Sequence, residues 1–83
     1  MPFDVKLSSQ ATKFLNKQDT HIRERLKTAL QKLKDPFQVV ERFEGEDCYK
    51  FRVGDYRTLV DIDMQNQIVR VRVLDKRGRI YKR

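Results

Sequence analysis

Residues Cys48-Tyr49-Lys50-Phe51-Arg52-Val53-Gly54-Asp55-Tyr56-Arg57-Thr58-Leu59-Val60-Asp61-Ile62-Asp63 decide the fold. Tyr49, Phe51 and Val53 alternate with Cys48, Lys50 and Arg52, the period of two that gives a strand one apolar face and one polar face. Gly54-Asp55 then supplies a two-residue hairpin loop, with glycine at the first central position as a type II′ turn requires. Tyr56 to Asp63 forms the returning strand. This loop sets a register in which Val53 faces Tyr56, Arg52 faces Arg57 and Lys50 faces Leu59. Directly opposed residues hold their Cβ atoms about 4.5–5.5 Å apart, so the two guanidinium groups repel, with Lys50 two residues along the same face. A bound phosphate accounts for such a cluster. So does neutralisation by Glu46, Asp47 or Asp61.

Downstream, Met64 to Gln67 makes a looser turn, and Ile68 to Leu74 forms a third strand, β-branched at Ile68, Val69, Val71 and Val73. A four-residue loop sets Arg70 opposite Asp61 and Arg72 opposite Leu59; a slip of one residue sends both arginines to the other face. Lys76 to Gly78 break the strand, and Arg79-Ile80-Tyr81 add a short last one. Upstream, Phe3, Val5 and Leu7 alternate with polar residues as a short strand. Ser8 or Ser9 then caps a helix carrying Ala11, Phe14 and Leu15. Asp19 or Thr20 caps a second helix, with Ile22, Leu26, Ala29, Leu30 and Leu33 at three- and four-residue steps. That helix ends near Lys34-Asp35, because Pro36 pushes its predecessor out of the helical region. Phe37 to Glu44 carries no clear period, and Gly45 marks a turn. The architecture expected is α+β: β-α-α-β-β-β, one largely antiparallel sheet with a helical hairpin on one face. The other face meets solvent or a ligand.

Composition bounds the function. The chain has 83 residues, and its 19 Lys and Arg against 12 Asp and Glu leave a net charge of +7. That length predicts one domain, residues 1–83. Charged residues reach 37%, yet the 39% that are apolar suffice for a small core. No apolar run is long enough for a membrane span, and the first residues do not have the form of a secretory signal. Cys48 is the only cysteine and His21 the only histidine. This leaves no disulfide, no zinc set and no Ser-His-Asp triad, and a lone thiol suits a reducing cytoplasm. Any chemistry falls to Lys, Arg, Tyr and carboxylates, with no metal and no cofactor. Arg70, Arg72, Lys76, Arg77, Arg79, Lys82 and Arg83 crowd the C-terminal end against Asp75 alone. On composition this is a surface for RNA or another polyphosphate, or a solubilising face.

Asp47-Cys48-Tyr49-Lys50-Phe51-Arg52-Val53-Gly54-Asp55-Tyr56-Arg57 resembles the central hairpin of RelE-type toxins of toxin–antitoxin pairs. Val71-Arg72-Val73-Leu74-Asp75-Lys76-Arg77, with Tyr81, is similar to their last strand and its exit. The resemblance spans nearly the whole chain. It implies a ribosome-dependent endoribonuclease, an mRNA interferase, that cuts messenger in the ribosomal A site and is blocked by an acidic, RelB-like antitoxin. By position, the family's functional residues fall on Lys50, Arg52, Arg57, Arg77 and Tyr81. The hairpin register independently puts the first three on one face.

In that reaction the ribose 2′-OH attacks its own 3′ phosphate. Arg52 and Arg57 hold phosphate oxygens, Lys50 is the candidate base, Arg77 stabilises late charge, and Tyr81 stacks on a base or orients the 2′-OH. Arg52 stands where many relatives have a second lysine, and a guanidinium is a poor base. Arg70, Arg72, Lys76, Arg79, Lys82 and Arg83 are candidates for RNA and ribosome contact. Two alternatives differ in kind: a ParE-like toxin of the same fold that poisons DNA gyrase, and a basic RNA-binding module with no catalysis. His21, Lys13, Lys17, Arg23, Lys27 and Lys34 read as solvated helix residues.

Overall fold

Alternation and turn chemistry give the hairpin its expected form in the computed structural model, which describes residues 2–42 and 48–76. In chain order the elements are β1 (Asp4–Leu7), α1 (Ser9–Asn16), α2 (Thr20–Leu30), two 3₁₀ turns (Gln31–Lys34 and Pro36–Gln38), β2 (Glu41–Arg42), β3 (Tyr49–Val53), β4 (Tyr56–Asp63) and β5 (Ile68–Lys76). Val53 pairs with Tyr56, Arg52 with Arg57 and Lys50 with Leu59, the register that the Gly54-Asp55 loop dictates. Gly54 has φ +56° while Asp55 keeps a negative φ, as a type II′ turn demands. A Cβ added at Gly54 would also lie 3.0 Å from Arg25 Nη2.

The five strands form one sheet in the order β1-β5-β4-β3-β2. β5 thus lies between β1, which it meets in parallel, and β4, which it meets antiparallel. A parallel partner needs a crossover, and α1 and α2 belong to it, packing on one face of the sheet. Ser8 caps α1, its Oγ accepting from Ala11 N at 3.1 Å. Asp19 precedes α2 without a side-chain cap bond, its carbonyl accepting from Arg23 N. Leu15, Leu26, Leu30 and Leu33 meet Phe51, Val60, Val69, Val71 and Leu74 in the core. Phe14 is half-buried against the Tyr56 ring, 5.9 Å between centroids.

Four expectations need correction. α2 proper stops at Leu30, and its last turn tightens to 3₁₀ through Lys34 before Pro36. Glu41–Arg42 forms a fifth strand that no periodicity announced, because two residues display no period. β5 continues to Lys76, past the expected end at Leu74. Arg70 does face Asp61, but Arg72 is not opposite Leu59: a β-bulge sets Leu59 against Val73 and Val60 against Val71. The suggested strand at Arg79-Ile80-Tyr81 lies outside the described residues.

The bulge has side-chain supports. The Gln10 amide donates to Leu74 O at 3.0 Å and accepts from Leu74 N at 2.9 Å, acting as a stretch of strand beyond the end of β1. Ser8 Oγ donates to Arg72 O at 2.7 Å, and Thr58 Oγ1 to Val73 O. Gln10→Ala leaves both Leu74 groups without this partner, so urea melts should show a loss of about 1–3 kcal/mol.

The β4–β5 turn supplies a second test. Asp63 accepts from Asn66 N at 3.0 Å and Asn66 Nδ2 at 2.9 Å. The Asn66 side-chain bond and then its backbone bond hold the Asp63 carboxyl below its ordinary value of 3.8. A carboxyl depressed in the folded state contributes stability above that ordinary value and loses it as the pH falls through the folded one. NMR titration of Asn66→Ala should show the Asp63 carboxyl moving back up towards 3.8.

Candidate functional site

With the helices on one face, the alternation of β3 and β4 sends Lys50, Arg52, Arg57 and Leu59 to the other. Arg57 sits at the centre of a cross-strand row, with Arg52 opposite it on β3 and Asp75 opposite it on β5. Arg52 is exposed, whereas Arg57 is only 7% exposed and is one of two polar or charged residues buried among those described. Burial of an arginine beside a second arginine is costly unless charge of the opposite sign is supplied.

Carboxylates reach this face unevenly. Asp61 lies 3.5 Å from Arg72, so of the acids expected to neutralise the hairpin cluster it serves β5 instead. Lys50 has a carboxylate that the sequence did not reveal: Glu41, its cross-strand partner on β2, with Oε2 3.9 Å from Nζ. The signal available was the Val39-Val40 pair ahead of alternating charges. Glu46 and Asp47 lie outside the described residues.

Two cavities meet at β3. A pocket of about 190 Å³ is lined by Val39, Glu41, Lys50, Phe51 and Arg52. A groove of about 770 Å³ runs from Arg52, Val53 and Gly54 along α2 past Arg25 and Lys32. Val39, Phe51 and Arg52 line both, so Arg52 stands where they join. His21 is an exposed residue at the rim of the groove.

The other expected residues divide. Arg70 and Arg72 share the open face but sit on β5, with Asp61 between them and the hairpin cations. Lys76 is opposite Tyr56 and so belongs to the helix-side face. Arg77, Arg79, Tyr81, Lys82 and Arg83 lie outside the described residues. Among the described residues no cluster of His, Cys, Asp or Glu is placed to hold a metal ion, and no helix is long and apolar enough to cross a membrane. Cys48 is buried.

The fold has known counterparts. Residues 5–81 match the family model described as the ParE toxin of the type II toxin–antitoxin system parDE. The chain belongs to the RelE/ParE toxin superfamily. Among solved structures, a chain of the RelBE2 toxin–antitoxin complex from Mycobacterium tuberculosis is similar at 25% identity and a TM-score of 0.79, over 93% of this toxin and 100% of that chain. The archaeal RelE–RelB complex from Pyrococcus horikoshii matches at 23% identity and a TM-score of 0.75, over 95% of this toxin and 99% of that chain. A mutant of Escherichia coli RelE in the free state matches at 21% identity and a TM-score of 0.76, over 99% and 90% respectively. The last two likenesses are of fold alone. No curated protein matches this toxin in sequence.

Membership makes the chain a toxin of a type II toxin–antitoxin pair, and leaves the work of the Arg52–Arg57 row to chemistry. Opposed like charges destabilise a sheet by up to about 1 kcal/mol per pair. Arg52→Ala removes the exposed member without opening a core cavity. Its melting temperature should equal or exceed that of the parent; a clear drop would show Arg52 to be a structural residue.

Proposed function

We propose that this toxin is a metal-independent endoribonuclease that cuts messenger RNA in the ribosomal A site by 2′-OH attack on the adjacent phosphate, and so stops translation in the cytoplasm. The observation that carries the reading is the juxtaposition of Lys50, Arg52 and Arg57 on one sheet face, with two of the three opposed across a hairpin. Such a cluster matches a phosphodiester whose negative charge grows in the transition state. Arg52 and Arg57 hold its oxygens through forked donors. Lys50 brings a mobile proton beside them. Arg77 stabilises late charge, and Tyr81 stacks on a base or orients the 2′-OH. Arg70, Arg72, Lys76, Arg79, Lys82 and Arg83 follow the RNA or ribosome backbone. The ribosome supplies substrate alignment that so small a site lacks. An acidic RelB-like antitoxin, the kind of partner named in the RelE–RelB complexes, covers the basic surface until it is removed.

A second reading has its own support, because the matching family model is described as a ParE toxin. On that reading the target is DNA gyrase and the hairpin cations bind without cleaving.

Toeprinting of a translated messenger separates the two. Cuts should appear only at A-site codons and vanish when antitoxin is added. Arg57→Ala should cut at least about 100-fold more slowly, the usual cost of removing one donor to a developing negative charge. Cleavage undiminished in Arg57→Ala overturns the catalytic assignment. An intact messenger, with gyrase trapped on cleaved DNA, establishes the second reading.

A further inference from the structure

A messenger is a continuous strand, so it must run past the hairpin cations in two directions. Arg70 and Arg72 on β5 lie along one of them. On the other side of Arg52 lies the groove against α2, about 770 Å³ in volume and as large as many ligand clefts. One face of α2 and of the turn after it borders this groove, with Arg25, Thr28 and Lys32 at three- and four-residue steps. Ala29, Val39, Phe51 and Val53 give it an apolar floor.

The charge in the groove is one-sided. Arg25, Lys32 and Arg52 share it with a single carboxylate, Glu24, which lies 3.8 Å from Lys27, a residue outside the lining. Among the described residues no carboxylate makes an ion pair with Arg25, Lys32 or Arg52. Glu41 stands in the wall of the small pocket, so past Arg52 the path of a polyanion leads into the groove.

The hairpin turn seats Arg25. Its guanidinium reaches from α2 to residue 54, where a Cβ would lie 3.0 Å from Nη2 and 3.7 Å from Cζ. Gly54 thus serves twice: its φ of +56° closes the turn, and its bare Cα leaves room for the guanidinium. Residue 54 is two positions beyond Arg52, about 7 Å along the strand. Neighbouring phosphates on an extended RNA strand are similarly spaced.

We infer that this groove is a second RNA subsite, taking the messenger nucleotide that adjoins the cut, an assignment that rests on the proposed RNA cleavage. Arg25 holds the phosphate of that nucleotide through its forked donors, and the apolar floor takes the base. A phosphate contact fixes register and carries no sequence information, so Arg25 positions the messenger without choosing the codon.

The test uses ribosomes carrying a defined messenger under single-turnover conditions, with the toxin concentration varied. Arg25→Ala should raise the concentration for half-maximal rate about tenfold, the usual size of one charge-assisted hydrogen bond, at an unchanged melting temperature. Arg25→Lys should keep part of that affinity, because a point charge remains where the fork is lost. The deciding messengers each carry one uncharged methylphosphonate, at the first or second phosphate on either side of the cut. The sugar before it is 2′-O-methylated, there and in the matched control. At one of these positions the parent should lose affinity as Arg25→Ala does, and Arg25→Ala should lose no more.

Losses that multiply at every position overturn the subsite and put Arg25 on another partner, such as ribosomal RNA. Half-maximal concentrations for Arg25→Ala within about threefold of the parent, less than one such bond supplies, overturn it too. If antitoxin then fails to inhibit Arg25→Ala, the groove is the antitoxin's seat. If Arg25→Ala does not fold, Arg25→Gln takes its place in the same cycle and is judged by the same two outcomes. A parent that leaves every messenger whole overturns the proposed cleavage and the subsite together; a parent that cuts, with losses that multiply, overturns the subsite alone.

Discussion

The pairing of β5 on both sides is the constraint on which the rest of the molecule depends. β5 holds a parallel partner from the start of the chain and an antiparallel partner from the hairpin, so every other strand is placed with respect to it. Val69, Val71 and Leu74 are fully buried because both neighbours and the helices close over them. The parallel contact requires a crossover, and the two helices of that crossover occupy one face of the sheet. The open face is thus a topological consequence. In a chain with 39% apolar residues, few remain to cover it once the core is filled.

Charge collects where the core cannot use apolar residues. On the open face the cations have unequal company: Arg72 sits beside Asp61, Lys50 beside Glu41, and the buried Arg57 in a row between Arg52 and Asp75. A protein selected only for stability would avoid opposing two arginines across a hairpin. Sites that trade stability for function show this kind of local conflict. The conflict is tolerable here because the β3–β4 ladder and the core beneath Phe51, Thr58 and Val60 hold the backbone regardless.

Much of this was legible in the sequence, and the exceptions have physical causes. The hairpin was readable because strict alternation flanks Gly54-Asp55, and the two-residue loop leaves only one register. The helices were readable from Ser8, the spacing of Leu26, Leu30 and Leu33, and Pro36. The bulge was not, because the side chains that bond beside it come from Ser8 and Gln10, each 64 residues from its partner, and no local pattern encodes a side chain that imitates a strand. β2 escaped because a two-residue strand has no period. With it went the pairing of Glu41 with Lys50.

The brevity of β2 has a cause that ties the fold to the site. Antiparallel continuation of β2 would set Val40 against Phe51 and Val39 against Arg52, covering the β3 edge. Instead, Pro36–Gln38 forms a 3₁₀ turn immediately upstream and carries the chain away. Phe37 holds that turn in place, its ring edge-on to Phe3 at 6.4 Å and to Tyr49 at 6.1 Å between centroids. β2 is therefore long enough to deliver Glu41 to Lys50 and too short to cover Arg52. Among the described residues no strand pairs with the β3 edge at residues 51–54, which becomes the shared wall of the small pocket and the groove past Arg25 and Lys32. An edge strand also invites pairing with other chains, and here cationic side chains beside it act against that. Pro36, placed to end a helix, thereby also decides which backbone stays uncovered beside the arginines.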